Sequence, residues 1–217
     1  MSTYTTLNPR SQATENPSRR LARLLPLGAV AGAGLSPYSP ITQPISGLGL
    51  GQTGPYMNSV FILSGLLMLA GVIGVVLSLP PGGRPVGRIA SLILLSLSPA
   101  GLIIIGFFTL NAPVMHLFGA QLILATPVIS FLVTGLHVRR LPAWHALGNG
   151  LLAAAPVTLV LYVVYVMSFN QAAVAAGYGV AGLTQRLLFV EILAWFAAMG
   201  WHAYRGPRSS ATTTRDH

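Results

Sequence analysis

The sequence predicts an all-α fold, a polytopic integral membrane bundle of six transmembrane helices of which the first is short. Three observations carry that prediction. Of 217 residues, 53% are hydrophobic and 7% charged, against about 25% charged in a soluble domain, so the chain lacks the polar groups to clothe a water-facing surface. Five apolar runs each exceed the ~18 residues that mark a membrane span. The basic residues, all twelve of them Arg against three acids, gather in alternate segments between those runs. In a soluble protein such a charge would suggest nucleic acid; membrane topology explains it here, and no nucleic-acid partner is expected. With no Cys there is no disulfide, thiolate metal site or cysteine nucleophile, and the absence of Lys removes P-loop and Schiff-base chemistry.

Taken in order, residues 1–18 are polar and rich in Ser, Thr, Asn and Pro, which reads as a disordered tail. The run RRLARLLPLGAVAGAGLSPY, residues 19–38, has two readings. It is either a short Gly-rich first span, about 20–36, or a cleavable signal peptide with a small-residue site and a twin-arginine look. The uncharged stretch PYSPITQPISGLGLGQTG, residues 37–54, follows as the first outer loop. Ile41, Ile45 and Leu48 recur there at helical spacing, with Pro44 tolerable in a first turn; a short helix in the outer interface is expected. Five strong spans come next, about 56–79, 88–110, 114–138, 145–169 and 183–204, each long enough to cross ~30 Å of hydrocarbon with some tilt. Residues 206–217 form a second polar tail. The transmembrane domain thus extends over 19–205.

Pro99, Pro127 and Pro156 sit near the centres of three consecutive spans. Each frees the carbonyl four residues earlier, and Ser96, Ser98, Thr126 and Thr158 are near enough in sequence to help satisfy them. Gly71 and Gly74, with Ala70, suggest a close helix contact. Orientation follows from the arginines. A cytoplasmic N-terminus places Arg10, Arg19, Arg20, Arg23, Arg84, Arg88, Arg139, Arg140, Arg205, Arg208 and Arg215 inside, leaving Arg186 alone at the outer side. That satisfies the positive-inside rule in every loop and predicts an inner (cell) membrane location with both termini cytoplasmic. Trp144, Trp201 and Tyr204 fall at the inner interface and Tyr56 at the outer one.

Few residues carry chemistry. GLGQTG, Gly49 to Gly54, spells a dinucleotide fingerprint, but that motif works only between a strand and a helix. The five histidines show no ligand spacing, so neither metal nor cofactor is expected. Glu191 is the only acid within a span, where a charge costs about 2.5–3.5 kcal/mol on insertion scales. Arg186 lies about 140° around the helix from it, so the two are not a natural pair. The ordinary reading is that Glu191 locks the bundle. The functional reading is a polar outer-leaflet pocket lined by His116, Gln121, Gln185, Arg186 and Glu191.

PYSPITQPISGLG in the outer loop, FILSGLLMLAGVIGV in the next span, His116 opening the fourth and GLTQRLLFVEILAW in the last resemble the prokaryotic membrane proteins grouped as domain of unknown function 998. The likeness covers roughly residues 20–204. It implies six spans, which favours a retained first helix. Pro44, Ile45, Ser46, Leu48 and Gly49 match the family's loop motif, and Gln185 and Arg186 match the one opening the last span. The family usually has an acid after the serine, where this chain has Gly47; a catalytic or ion-binding role for that acid would be missing here. The resemblance implies no activity.

The leading expectation is a non-enzymatic membrane protein that binds a lipid or small amphiphile at the outer leaflet. Arg186 would meet an anionic headgroup, Glu191 and His116 would form the polar floor, and the Pro44–Gly49 loop would be a lid. Its partners would be membrane lipids and that ligand. Two alternatives stand beside it: a membrane-embedded enzyme with Glu191 or His116 as acid/base and Arg186 as anion clamp, and a proton-coupled transporter titrating Glu191. Against the first there is no clear nucleophile; against the second there is no convincing internal repeat.

Overall fold

The computed structural model describes residues 38–80 and 85–206. Both tails and the expected first span, 20–36, lie outside the described residues. From Ser39 onward the chain forms one contact unit, and among the described residues its regular structure is all helical, without strands. The long apolar runs become helices because hydrocarbon offers the backbone no other partner. They are α1 (Gly54–Leu77), α2 (Pro85–Phe107), α3 (Pro113–Leu124), α4 (Thr126–Val138), α5 (His145–Ser168), the short α6 (Gln171–Ala175) and α7 (Ala181–Arg205). With α3 and α4 stacked end to end, five of these segments are long and apolar enough to cross a membrane.

Starts and stops follow local chemistry. Pro55, Pro113 and Pro127 stand in first turns, where no amide is missed. Asn170 caps α6 by accepting the Ala173 amide at 3.1 Å, the ordinary use of a side-chain oxygen at a helix start. The three central prolines act differently. Pro99 and Pro156 sit inside unbroken helices, whereas the expected 114–138 span divides at Ala125, next to Pro127. The hydroxyls near that break serve a carbonyl one residue before the one Pro127 frees: Thr126 Oγ1 donates to the Leu122 carbonyl at 2.5 Å, and Ser98 reaches it from α2 at 3.4 Å. Ser130 spans the same seam, 2.8 Å from the Leu94 carbonyl.

Packing runs as a ring, α1 against α2, α2 against α3 and α4, α4 against α5, α5 against α7, and α7 back to α1, with the last seam looser than the α1–α2, α4–α5 and α5–α7 seams. Leu95, Phe131, Leu151 and Leu188 are fully enclosed, and the Phe131 and Phe196 rings meet at 5.9 Å. The α2–α3 crossing is set by reciprocal glycines: a Cβ on Gly101 would stand 2.5 Å from the Gly119 carbonyl and 2.9 Å from Leu122 Cβ, and one on Gly119 would stand 2.8 Å from Ile105. Gly101→Val is therefore expected to cost about 1–3 kcal/mol through overpacking, read as a lower melting temperature of the detergent-extracted protein.

Two expectations are corrected. Gly71 and Gly74 make no close helix contact; both are exposed on α1, and a Cβ on either would meet nothing within 4 Å. Trp144 is not an exposed interfacial aromatic. It is 1% exposed and packed in the core, held in a 3-10 turn, Pro142–Trp144, with its ring 4.7 Å edge-on to His202. Trp201, Tyr204 and Tyr56 are exposed, as interfacial aromatics should be.

Candidate functional site

The 39–53 loop is where two of the sequence-predicted residues, Gln185 and Arg186, meet. The loop is not free. Pro44 is buried and leads into a 3-10 helix, Ile45–Gly49, tighter and shorter than the helix expected from Ile41, Ile45 and Leu48, and it leaves Ile41 exposed. Gln185 Oε1 accepts the Ile45 amide at 2.7 Å. Arg186 Nη1 donates to the carbonyls of Pro40 at 2.6 Å, Gln43 at 3.1 Å and Gly182 at 2.9 Å; two hydrogens serve three acceptors, so they are shared. The Leu183 amide, one of the unpaired donors of a helix start, is taken by the Ile41 carbonyl at 2.9 Å. From the other side Asn58 donates to the Gly49 carbonyl at 3.2 Å, and Thr53 donates to that of Leu48 at 3.1 Å. Only glycine fits at 182, since a Cβ would press on the Pro40 and Gln43 carbonyls. Gly182→Ala is expected to loosen the loop, seen as faster proteolysis within residues 39–53.

Glu191 belongs to a different face of α7. It lies about 200° around the helix from Phe189 and meets α5. Thr158 Oγ1 stands 3.1 Å from both carboxyl oxygens and 2.9 Å from the Ala154 carbonyl, so its single proton serves one of these partners at a time. The Trp195 side chain is within reach of the same carboxyl. This contact is one rung of a polar seam along α5. Tyr162 donates to Gln121 Oε1 at 2.5 Å, Gln185 Nε2 donates to the Tyr165 hydroxyl at 3.4 Å, and the Ser168 and Thr184 hydroxyls meet at 2.6 Å. Thr158, Tyr162 and Tyr165 fall on one helix face by spacing. Of these hydroxyls the sequence singles out only Thr158, as a partner for the carbonyl that Pro156 frees; Tyr162 and Tyr165 are unremarkable singly, and their helical spacing from Thr158 is the usable signal.

The five predicted pocket residues therefore have separate partners. Gln185 and Arg186 come together on the loop. Gln121 and Glu191 both reach α5, at Tyr162 and Thr158, and His116 stands apart, 6% exposed, with Nδ1 on the Phe108 carbonyl at 2.8 Å, where it closes the α2–α3 turn. Pro44, Ile45, Ser46, Leu48 and Gly49 form the loop's 3-10 turn and its lead-in. Among the described residues no cluster of His, Cys, Asp or Glu could hold a metal ion.

A cavity of about 570 Å³ opens along the loose α1–α7 seam, with Leu95 and Leu102 of α2 behind it. Ile45 of the loop touches its upper end; Met57, Phe61, Phe189 and Phe196 line its walls, and Ser64 contributes the one hydroxyl. Met57 and Val75, both on its α1 wall, lie 18 residues apart, about 27 Å of helix and close to the ~30 Å hydrocarbon depth. None of His116, Gln121, Gln185, Arg186 or Glu191 is among its lining residues; Gln185 is one bond removed, through Ile45.

Fold and site together define a multi-pass membrane helix bundle with a polar-anchored loop at one end. The chain belongs to the family described as "Protein of unknown function (DUF998)", whose sequence model matches residues 22–202. No curated protein and no solved structure matches it.

Proposed function

We propose that this protein binds a lipid or small amphiphile without transforming it, taking an apolar tail into the α1–α7 slot beneath the anchored loop. The single observation carrying this reading is the slot itself. It is an apolar space of about 570 Å³, within the ~300–1,000 Å³ of ligand sites, and it follows α1 for most of a bilayer's depth. In this reading Gln185 and Arg186 do not grip a headgroup; they hold the loop that closes the tail's upper end. Glu191 fastens α7 to α5 and so keeps the far wall in place. The cell membrane, with the arginine-bearing ends cytoplasmic, is the setting this reading takes, which puts the loop in the outer leaflet.

Gly71 lines the slot and has nothing within 4 Å of a built Cβ, so Gly71→Leu starts a side chain into the space without its first atom meeting a wall. Native mass spectrometry of wild-type protein extracted gently from its own membrane is expected to retain a defined lipid or metabolite mass that Gly71→Leu loses at unchanged melting temperature. An equal adduct on both proteins, or none on either, would refute the reading.

The polar seam favours a second reading, proton-coupled transport, because hydroxyls and amides lead from the Ser168–Thr184 contact towards the only acid among the described residues. Uptake driven by a pH gradient in vesicles and lost in Glu191→Gln would select it over the first.

A further inference from the structure

The end of the bundle opposite the 39–53 loop gathers positive charge that nothing among the described residues offsets. There α2 begins and α4 ends, and the two helices touch so closely that only glycine fits at position 87. A Cβ on it would stand 2.8 Å from His137 Cγ and nearer still to Nδ1. Arg88 follows Gly87 directly and is half-buried. Arg140 is held within a turn of His137, its amide donating to the His137 carbonyl at 3.3 Å. The charges of both guanidiniums act on the His137 ring, so the two arginines converge on it from different helices. Neither has a hydrogen-bond or ion-pair partner among the described residues. The only acid there, Glu191, is engaged by Thr158 of α5. The carbonyl end of α4 favours a cation and the amide end of α2 disfavours one, which leaves the two guanidiniums as the uncompensated charge.

We infer that Arg88 and Arg140, brought together by the Gly87–His137 contact, form a binding site for the phosphate of an anionic phospholipid. Like charges set close together call for an anion between them, and a guanidinium offers a phosphate two parallel N–H donors. The lipid is the source of that phosphate because of what surrounds the pair. Both arginines stand at the ends of membrane-spanning segments. The apolar side chains nearest them in sequence, Val86 and Ile89 on α2 and Leu136 on α4, are exposed, so acyl chains can lie along the helices while the headgroup meets the guanidiniums. Basic pockets between transmembrane helices take anionic headgroups in this way. None of Arg88, His137 or Arg140 lines the α1–α7 slot, so this is a headgroup site separate from the tail site there. Arg205 ends α7 at the same end of the bundle, but its guanidinium lies 4.5 Å over the Trp201 ring, which makes it the natural control.

Native mass spectrometry of the full chain, delipidated in detergent and offered equal amounts of phosphatidylglycerol and phosphatidylcholine, tests this. The wild type is expected to carry phosphatidylglycerol several-fold over phosphatidylcholine. Arg88→Gln/Arg140→Gln should carry the two equally, and Arg205→Gln should keep the preference. Gly71→Leu should keep it too, which separates this adduct from the mass that the slot loses in that variant. Equal binding of both lipids by the wild type, a preference unchanged in the double variant, or the same loss in Arg205→Gln would overturn the inference. So would displacement of the lipid by excess inorganic phosphate, the sign of a free-phosphate site. Arg140→Gln alone, at an exposed position, repeats the comparison if the double variant does not fold.

Discussion

Arg186→Met is expected to detach the 39–45 segment from the start of α7 and to destabilise the bundle by about 3 kcal/mol. One nitrogen of this side chain serves the carbonyls of Pro40, Gln43 and Gly182, and hydrogen bonds to a charged donor are worth roughly 1.5–3 kcal/mol each. Sharing two hydrogens among three acceptors keeps the total below the sum. Met retains the apolar stem as far as the Nε position, so the loss falls mainly on the guanidinium. Thermal unfolding in detergent gives the magnitude, and protease accessibility of the loop gives the location. A melting temperature within error of wild type, with the loop still protected, would show that Gln185 and the Ile41–Leu183 pair suffice.

The second large effect concerns Thr158 and Glu191. Thr158→Val removes the hydroxyl that stands 3.1 Å from both carboxyl oxygens and leaves the acid short of a partner inside the bilayer. Stranding a buried polar group costs about 1–3 kcal/mol. Glu191→Leu removes the acid instead, and Thr158 still has the Ala154 carbonyl at 2.9 Å. The double variant should therefore be more stable than Thr158→Val alone. A double-mutant cycle on melting temperatures measures this directly; strictly additive effects would mean the pair does not interact.

These two contacts also mark how far the sequence was legible. The five long helices were readable because ~30 Å of hydrocarbon demands a fixed length of apolar helix, and the run beginning near Tyr56 indeed becomes α1, Gly54–Leu77. The separation of Arg186 from Glu191 was readable too, since 100° per residue puts them on different faces, and they bond to the loop and to α5 respectively. Partner choice was not readable. The sequence puts His116 and Gln121 in one pocket with Glu191, yet His116 pairs with the Phe108 carbonyl and Gln121 with Tyr162. Gly71 and Gly74 show the same limit: a small-residue pair permits close approach, but nothing in the pair says whether a neighbour arrives or, as at Gly71, a slot remains.

The pairing of slot and loop makes a lipid-binding protein the central claim, and site-resolved photo-crosslinking tests it most directly. A lipid carrying a photoactivatable group on its tail would be incorporated into membranes holding the full chain, and the modified residues mapped. The account predicts labelling of Met57, Phe61, Phe189 and Phe196, which line the slot, in clear excess over the outward-facing Leu63 and Val160, and loss of that excess in Gly71→Leu. Equal labelling of slot and outward faces, unchanged by the substitution, would contradict it.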